Sequence, residues 1–206
     1  MITIDDAEVL IKLARDSIST FFSGNNLYLN DTDKFKDKLG VFVTLNKFEK
    51  LRGCIGYPEP VLELQRAVIE ASRSAAFCDP RFPTVTQDEL EDITIEISVL
   101  TRPKLIEVSE TSEYLDNIKI GKHGLIIRSN YGSGLLLPQV FAEYESTPKE
   151  ALEMTCQKAG LQKDAWKKTD IKIYSFNAQV FEEIEPSGQI KEKTISASKE
   201  RKVKQT

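Results

Sequence analysis

The spacing of apolar residues changes period along this chain, and each change marks an element. Between residues 5 and 23, Val9, Leu10, Leu13, Ile18 and Phe21 recur at helical spacing behind Asp5-Asp6, and Gly24 supplies a stop. Residues 25–38 are polar and irregular. The run Gly40-Val41-Phe42-Val43-Thr44-Leu45 is β-branched and aromatic, which predicts a buried strand. Residues 46–50 turn it back into a second strand, giving a hairpin that Pro58 and Pro60 end. Helical spacing returns over residues 61–77 through Leu64, Ala67, Val68, Ala71 and Ala75.

Asp79-Pro80-Arg81-Phe82-Pro83 is irregular, because each proline pushes its predecessor out of the helical region. Thr86 and Glu89 predict a capping box for a short helix. Ile93, Ile95, Ile97 and Val99 then alternate with Thr94, Glu96 and Ser98, the pattern of a half-buried strand. A shorter strand over 104–108 and a short helix near 112–117 follow. Segments 125–128 and 135–137 pair across Tyr131-Gly132-Ser133-Gly134. Pro138 suits the first turn of a helix, and Thr147-Pro148-Lys149-Glu150 opens another that stops at Gly160. The last long strand spans 170–182, with Ile171, Ile173, Ser175, Asn177, Gln179 and Phe181 on one face. Strands and helices mix without regular βαβ alternation, so the fold class is α+β.

Composition narrows the setting. The chain has 206 residues, 40% hydrophobic and 29% charged, as an ordinary globular protein has. No apolar run approaches the ~20 residues of a membrane span, and Met1–Asp6 lack the features of a secretory leader. Three cysteines without short spacing fit a reducing compartment, so the expected location is cytoplasmic. The net charge of −4 is uneven: the last twenty residues carry a local +4, which leaves −8 on the body. An acidic body disfavours a broad nucleic-acid footprint. The segment 187–206 reads as a basic, disordered tail, its apolar residues isolated among charges.

The chemistry concentrates at Leu51-Arg52-Gly53-Cys54-Ile55-Gly56. Side chains alternate along a strand, so Arg52 and Cys54 share a face with backbones roughly 6.6 Å apart. A guanidinium at that range favours the thiolate. Gly56 leaves room above the sulfur. Cys54 is therefore either a thiolate nucleophile or a small packed residue of a tight strand. Arg52 either presents its fork to a carboxylate or phosphate ligand or closes an internal ion pair.

Three further residues join the candidates. His123, the only histidine, lies between Gly121 and Gly124 and reads as a general base or as a plain turn residue. Arg81 sits in the proline-bounded loop, and Gln139 at a helix start whose free N–H groups favour anions; local bracing is the competing role for both. Cys78 and Cys156 lie in helical patterns and read as core. A zinc site lacks the paired C-x₂₋₄-C spacing, and Gly132 and Gly134 lack the context of a dinucleotide loop. No metal is assigned, and no cofactor is identified.

The chain resembles the AMMECR domain family and is similar to its archaeal members. The resemblance rests on Leu51-Arg52-Gly53-Cys54-Ile55-Gly56, with Gly40-Val41-Phe42-Val43-Thr44-Leu45 before it and Asp79-Pro80-Arg81-Phe82-Pro83 after it. Glu96-Ile97-Ser98-Val99-Leu100, Gly121-Lys122-His123-Gly124-Leu125, Leu136-Leu137-Pro138-Gln139-Val140 and Lys158-Ala159-Gly160-Leu161 follow in family order, over residues 5–185. It implies two subdomains, a larger antiparallel sheet flanked by helices and a smaller split β-α-β unit, with a functional site at the hexapeptide beside the cleft between them. The division expected here is 1–83 with 135–186, then 84–134. Association of relatives with Memo-type and radical-SAM proteins implies a protein partner.

Two functions remain open. One is an intracellular enzyme or small-ligand protein, the ligand being a small anion, with Cys54 and His123 as catalytic residues and Arg52, Arg81 and Gln139 as binding residues. The other is a non-catalytic regulatory or adaptor module that binds protein or RNA.

Overall fold

Thr3 opens the first helix with a reciprocal cap: its side chain accepts from the Asp6 N–H while the Asp6 carboxylate accepts from Thr3 N–H. The computed structural model describes residues 1–25, 27 and 33–195. These residues form two compact units, Met1–Arg102 with Gln179–Lys193, and Pro103–Ala178 with Thr194 and Ile195. The fold is α+β and its strands pair antiparallel.

The first unit is built from α1 (Ile4–Ser23), the hairpin β1 (Gly40–Lys47) and β2 (Lys50–Tyr57), α2 (Leu64–Phe77) and β3 (Ile93–Leu100). Strand β2 is the edge, β1 lies beside it, and β3 pairs along all of β1, from Gly40↔Leu100 to Lys47↔Ile93. Val41, Val43 and Leu45 of β1 and Ile93, Ile95 and Ile97 of β3 are fully buried and face one core with Leu10, Ile18, Leu64 and Val68. The buried stripe of α1 is Ala7, Leu10, Ile11, Ala14, Ser17 and Ile18, one step round from the expected stripe. Small residues there let the helices approach, and Ser17 and Ser72 meet at 3.0 Å. Phe21 is left 61% exposed and stacks on Phe77 with ring centroids 4.1 Å apart.

The second unit holds β4 (Lys104–Leu105), α3 (Tyr114–Asn117), the pair β5 (His123–Arg128) and β6 (Ser133–Leu136), then α4 (Pro138–Glu143) and α5 (Pro148–Lys158). Its core gathers Leu125, Ile127, Phe141, Leu152, Cys156, Trp166 and Ile173. The capping box expected at Thr147 and Glu150 is present, with Pro148 at the first helical position. The remaining strands are β7 (Lys172–Glu183), which the two units share, and β8 (Ile190–Glu192). In the second unit the N-terminal half of β7 pairs with β5 and β4. In the first unit Phe181, Glu182 and Glu183 pair with β8.

Several expectations are corrected. Residues 84–134 are not one unit: β3 belongs with the hairpin, because its full-length pairing with β1 outweighs the proximity in sequence that suggested a local β-α-β piece. Residues 135–178 likewise belong with β5, through the β5–β6 pair and the shared core. The tail is ordered as far as it is described. Residues 190–192 form β8, and Lys193 N–H donates to the Val180 carbonyl; residues 196–206 of that expectation lie outside the described residues. The single face expected for the last strand also fails. Ile171 and Ile173 are buried, then Phe176 and Val180, then Phe181 and Glu183, since each half of β7 packs against its own unit.

Candidate functional site

Cross-strand register places Cys54 of β2 opposite Thr44 of β1, and Thr44 opposite Glu96 of β3. This is the sheet face opposite Val43, Leu45 and Ile95, whose side chains enter the helix-covered core. Below Cys54, Gly53 is required by packing: a Cβ there would stand 2.2 Å from the Ala75 carbonyl oxygen of α2. Beside it, Gly56 meets the Phe42 ring, which would lie 2.3 Å from a Cβ. The missing side chain at Gly56, expected to leave room above the sulfur, makes way for the Phe42 ring.

Three groups fix Cys54. Its N–H donates to Asp79 Oδ2 at 2.9 Å, its carbonyl accepts from an Arg81 guanidinium N–H at 3.1 Å, and the Thr44 hydroxyl donates to Sγ at 3.3 Å. Strand β2 is an edge, so main-chain groups there need partners beyond the ladder, and an Asp–Arg pair supplies them. Asp79 is buried and accepts from the Arg81 N–H, from Arg81 Nε at 2.9 Å and from the guanidinium tip at 2.6 Å. The Arg81 guanidinium holds the Asp79 carboxyl well below the usual carboxylate range, and Asp79 raises Arg81 in turn.

Arg52 does not serve Cys54. The register steps from Leu45↔Gly53 to Asn46↔Leu51, which leaves Arg52 as a bulge residue without a cross-strand partner. Its guanidinium turns to Glu89, donating to Oε1 at 3.2 Å and Oε2 at 2.9 Å, and to the Thr84 carbonyl at 3.3 Å. Arg52 thereby lowers the Glu89 carboxyl to about 2. Thr86 and Glu89 do make the reciprocal cap expected of them, on the 3₁₀ turn Asp88–Asp92. The charge that favours ionisation of Cys54 is that of Arg81, and burial outweighs it: the thiol is pushed up from its ordinary value. Of its two expected roles Arg52 thus takes the internal ion pair, and a thiolate favoured by Arg52 is not what surrounds Cys54.

The row continues past Thr44. Glu96 is buried, and its charge lies near enough to Cys54 to raise the thiol further. Lys193 Nζ bonds Glu96 Oε2 at 2.9 Å and Glu182 Oε2 at 3.0 Å. Asp79, Thr44, Glu96 and Lys193 were not among the candidates. The alternation Thr94, Glu96, Ser98 reads as a wet strand face, yet Glu96 and Ser98 are 8% and 1% exposed. Asp79-Pro80-Arg81 carried the one usable signal, opposite charges two residues apart around a proline.

His123 and Gln139 belong to the second unit, whereas Arg52, Cys54 and Arg81 belong to the first. His123 opens β5, and its Nδ1 accepts from the Lys119 N–H at 3.3 Å. Burial, then Lys122 and Lys119, push its pKa down. Gln139 is the second residue of the six-residue helix α4, too short to present an N-terminal anion site. Cys156 is buried as expected, whereas Cys78 is exposed at the end of α2. Among the described residues no three His, Cys, Asp or Glu side chains are gathered to hold a metal ion, and no helix is long and apolar enough to cross a membrane.

The molecule is thus an α+β protein whose edge hairpin carries a cysteine held by an Asp–Arg pair. The AMMECR1 family profile matches residues 11–181, and the chain belongs to that family. Protein MJ0810 of Methanocaldococcus jannaschii is 44% identical over 198 residues, covering 95% of this chain and 98% of that one. Protein MK0488 of Methanopyrus kandleri is 46% identical over 200 residues, covering 95% and 97%. The crystal structure of uncharacterized protein PH0010 from Pyrococcus horikoshii superposes with a TM-score of 0.88 at 42% identity, over 94% of this chain and 98% of that one.

Proposed function

We propose that this chain is an intracellular enzyme or small-ligand protein whose reactive group is the Cys54 thiol. The observation that carries the reading is the three-way fixation of Cys54 by Asp79, Arg81 and Thr44. A cysteine that only fills space needs no hydroxyl on its sulfur; a thiol that must meet a ligand in one orientation does. The resting group is the neutral thiol, since burial holds its pKa up. Arg52 and Arg81 brace the site through Glu89 and Asp79 and contribute position. The ligand is a small molecule that contacts the sulfur.

A protection experiment tests this. The folded protein is treated with N-ethylmaleimide with and without a low-molecular-weight cell extract, and adducts are mapped by peptide mass. The expected result is labelling of Cys54 that the extract slows, while labelling of the exposed Cys78 is unchanged. Cys54 inert in the folded protein, or both thiols labelled identically with and without extract, overturns the proposal.

The adaptor reading draws on another observation. At the tip of the β1–β2 hairpin, Phe48 is 71% exposed and Leu51 43% exposed, with Phe48 and Glu49 at φ 49° and 61°. A two-residue turn with both φ positive suits Asn-Gly, and an aromatic there is strained and outward. Replacing Phe48-Glu49 by Asn-Gly relieves that strain; full retention of partner binding after the swap would exclude the tip as a contact.

A further inference from the structure

We propose that Glu96 and Lys193 are positioning residues for the Cys54 site: Lys193, brought in by the C-terminal strand β8, holds Glu96 and thereby tunes the thiol two strands away. The inference rests on the reading of Cys54 given above and adds two residues outside the hexapeptide. Its geometry is a continuous polar row. Cys54, Thr44 and Glu96 are successive register partners across β2, β1 and β3. Facing pairs of this kind stand about 5 Å apart at Cβ. Lys193 closes the row with its bonds to Glu96 and Glu182, and its main chain is pinned to Val180.

Among the described residues, the charges that act on Cys54 are those of Arg81, Glu96 and Asp79. Asp79 and Arg81 come from the loop after α2 and neutralise one another at 2.6 Å. Glu96 comes from β3 and bonds Lys193, which also bonds Glu182; Glu182 in turn bonds Lys191 at 3.2 Å. Arg52 is committed to Glu89. The balance of Glu96 against Lys193 is thus a second adjustable charge near the sulfur, beside that of Arg81 and Asp79. A buried carboxylate with its cation removed presses a neighbouring thiol toward the neutral form, and a neutralised carboxylate releases it. Glu96 lies within residues 11–181, which the family profile matches, and Lys193 lies beyond them.

The test is the rate of Cys54 alkylation by iodoacetamide against pH, read by peptide mass in wild type and variants. In that reaction a sulfur–carbon bond forms, iodide leaves and the thiol proton passes to solvent, so the rate follows the thiolate fraction. Glu96→Gln should speed labelling about three- to tenfold at pH 8, with an inflection at lower pH, and Lys193→Met should slow it by a similar factor. Lys193→Arg should restore the wild-type profile. The double variant Glu96→Gln/Lys193→Met should stay close to Glu96→Gln alone, since the lysine then keeps only Glu182, which is not in the row that reaches Cys54. Glu96→Asp supplies a readout if Glu96→Gln fails to fold, with a profile between wild type and Lys193→Met. Coincident profiles in all folded variants, with Cys54 still labelled, overturn this inference and leave the proposed function standing. Cys54 unlabelled in folded wild type overturns both.

Discussion

Cys54 gives its main-chain N–H to the buried carboxylate of Asp79 at 2.9 Å, across 25 residues of chain. The same carboxylate orders Arg81, which returns a hydrogen bond to the Cys54 carbonyl. An edge strand is thereby capped by two side chains, and the capped residue is the cysteine.

Asp79→Ala removes an acceptor that four hydrogen bonds use and leaves the Cys54 N–H without its partner. Denaturant unfolding should show a loss of about 1–3 kcal/mol, and Asp79→Asn a smaller one because it keeps an acceptor. Arg81 is half exposed and its charge returns to water at little cost, which bounds the effect. An unchanged midpoint for Asp79→Ala would show that the clamp is idle.

The Arg52–Glu89 pair sets an acid limit on stability. Glu89 has its folded pKa lowered to about 2 from an ordinary 4.5. A depressed carboxylate stabilises the folded state above its unfolded pKa, and that contribution is lost as pH falls through the window from 4.5 toward 2. Glu89→Gln should therefore be less stable at pH 7, by about 1–3 kcal/mol, and lose less between pH 5 and pH 2 than wild type. Melting temperatures across that range decide it; parallel curves would contradict the assignment.

Gly53→Ala should destabilise by about 1–3 kcal/mol, because its Cβ meets a helix carbonyl that cannot swing aside. Gly24→Ala is the contrast. Its Cβ meets nothing within 4 Å, so any cost there reflects only the left-handed φ of 67°. Equal losses at both positions would remove the packing argument for Gly53.

A chain ended after Pro186 loses β8 and the Lys193 bonds to Glu96 and Glu182, so it should melt several degrees lower than full length. The charge pattern of 187–206 suggested the opposite, and an unchanged melting temperature would restore that reading.

Much of the fold was legible because it is written locally. The alternation of Ile93, Ile95, Ile97 and Val99, the Thr147–Glu150 cap and the proline-ended hairpin each specify an element from neighbouring residues. The unit boundary was not legible, since it depends on β3 pairing with β1 between residues far apart in sequence, from Lys47↔Ile93 to Gly40↔Leu100. The candidate site was half legible. Cys54 and Arg81 do meet, but strict alternation put Arg52 beside the thiol, and one bulge redirected it to Glu89. Glu96 looks like a solvent-facing position and Thr44 like one more residue of a buried run, and only the register joins them to Cys54.

Cys54 answers to Arg81 and Asp79 and not to Arg52. The most direct measurement is the pH profile of Cys54 alkylation in wild type, Arg52→Lys, Arg52→Ala and Arg81→Ala, with folding verified by circular dichroism. Both Arg52 variants should overlay wild type, with an inflection above that of an unperturbed thiol. Arg81→Ala should move the inflection to higher pH, because the guanidinium charge that lowers the thiol directly is gone. An upward shift in Arg52→Ala with none in Arg81→Ala would contradict it.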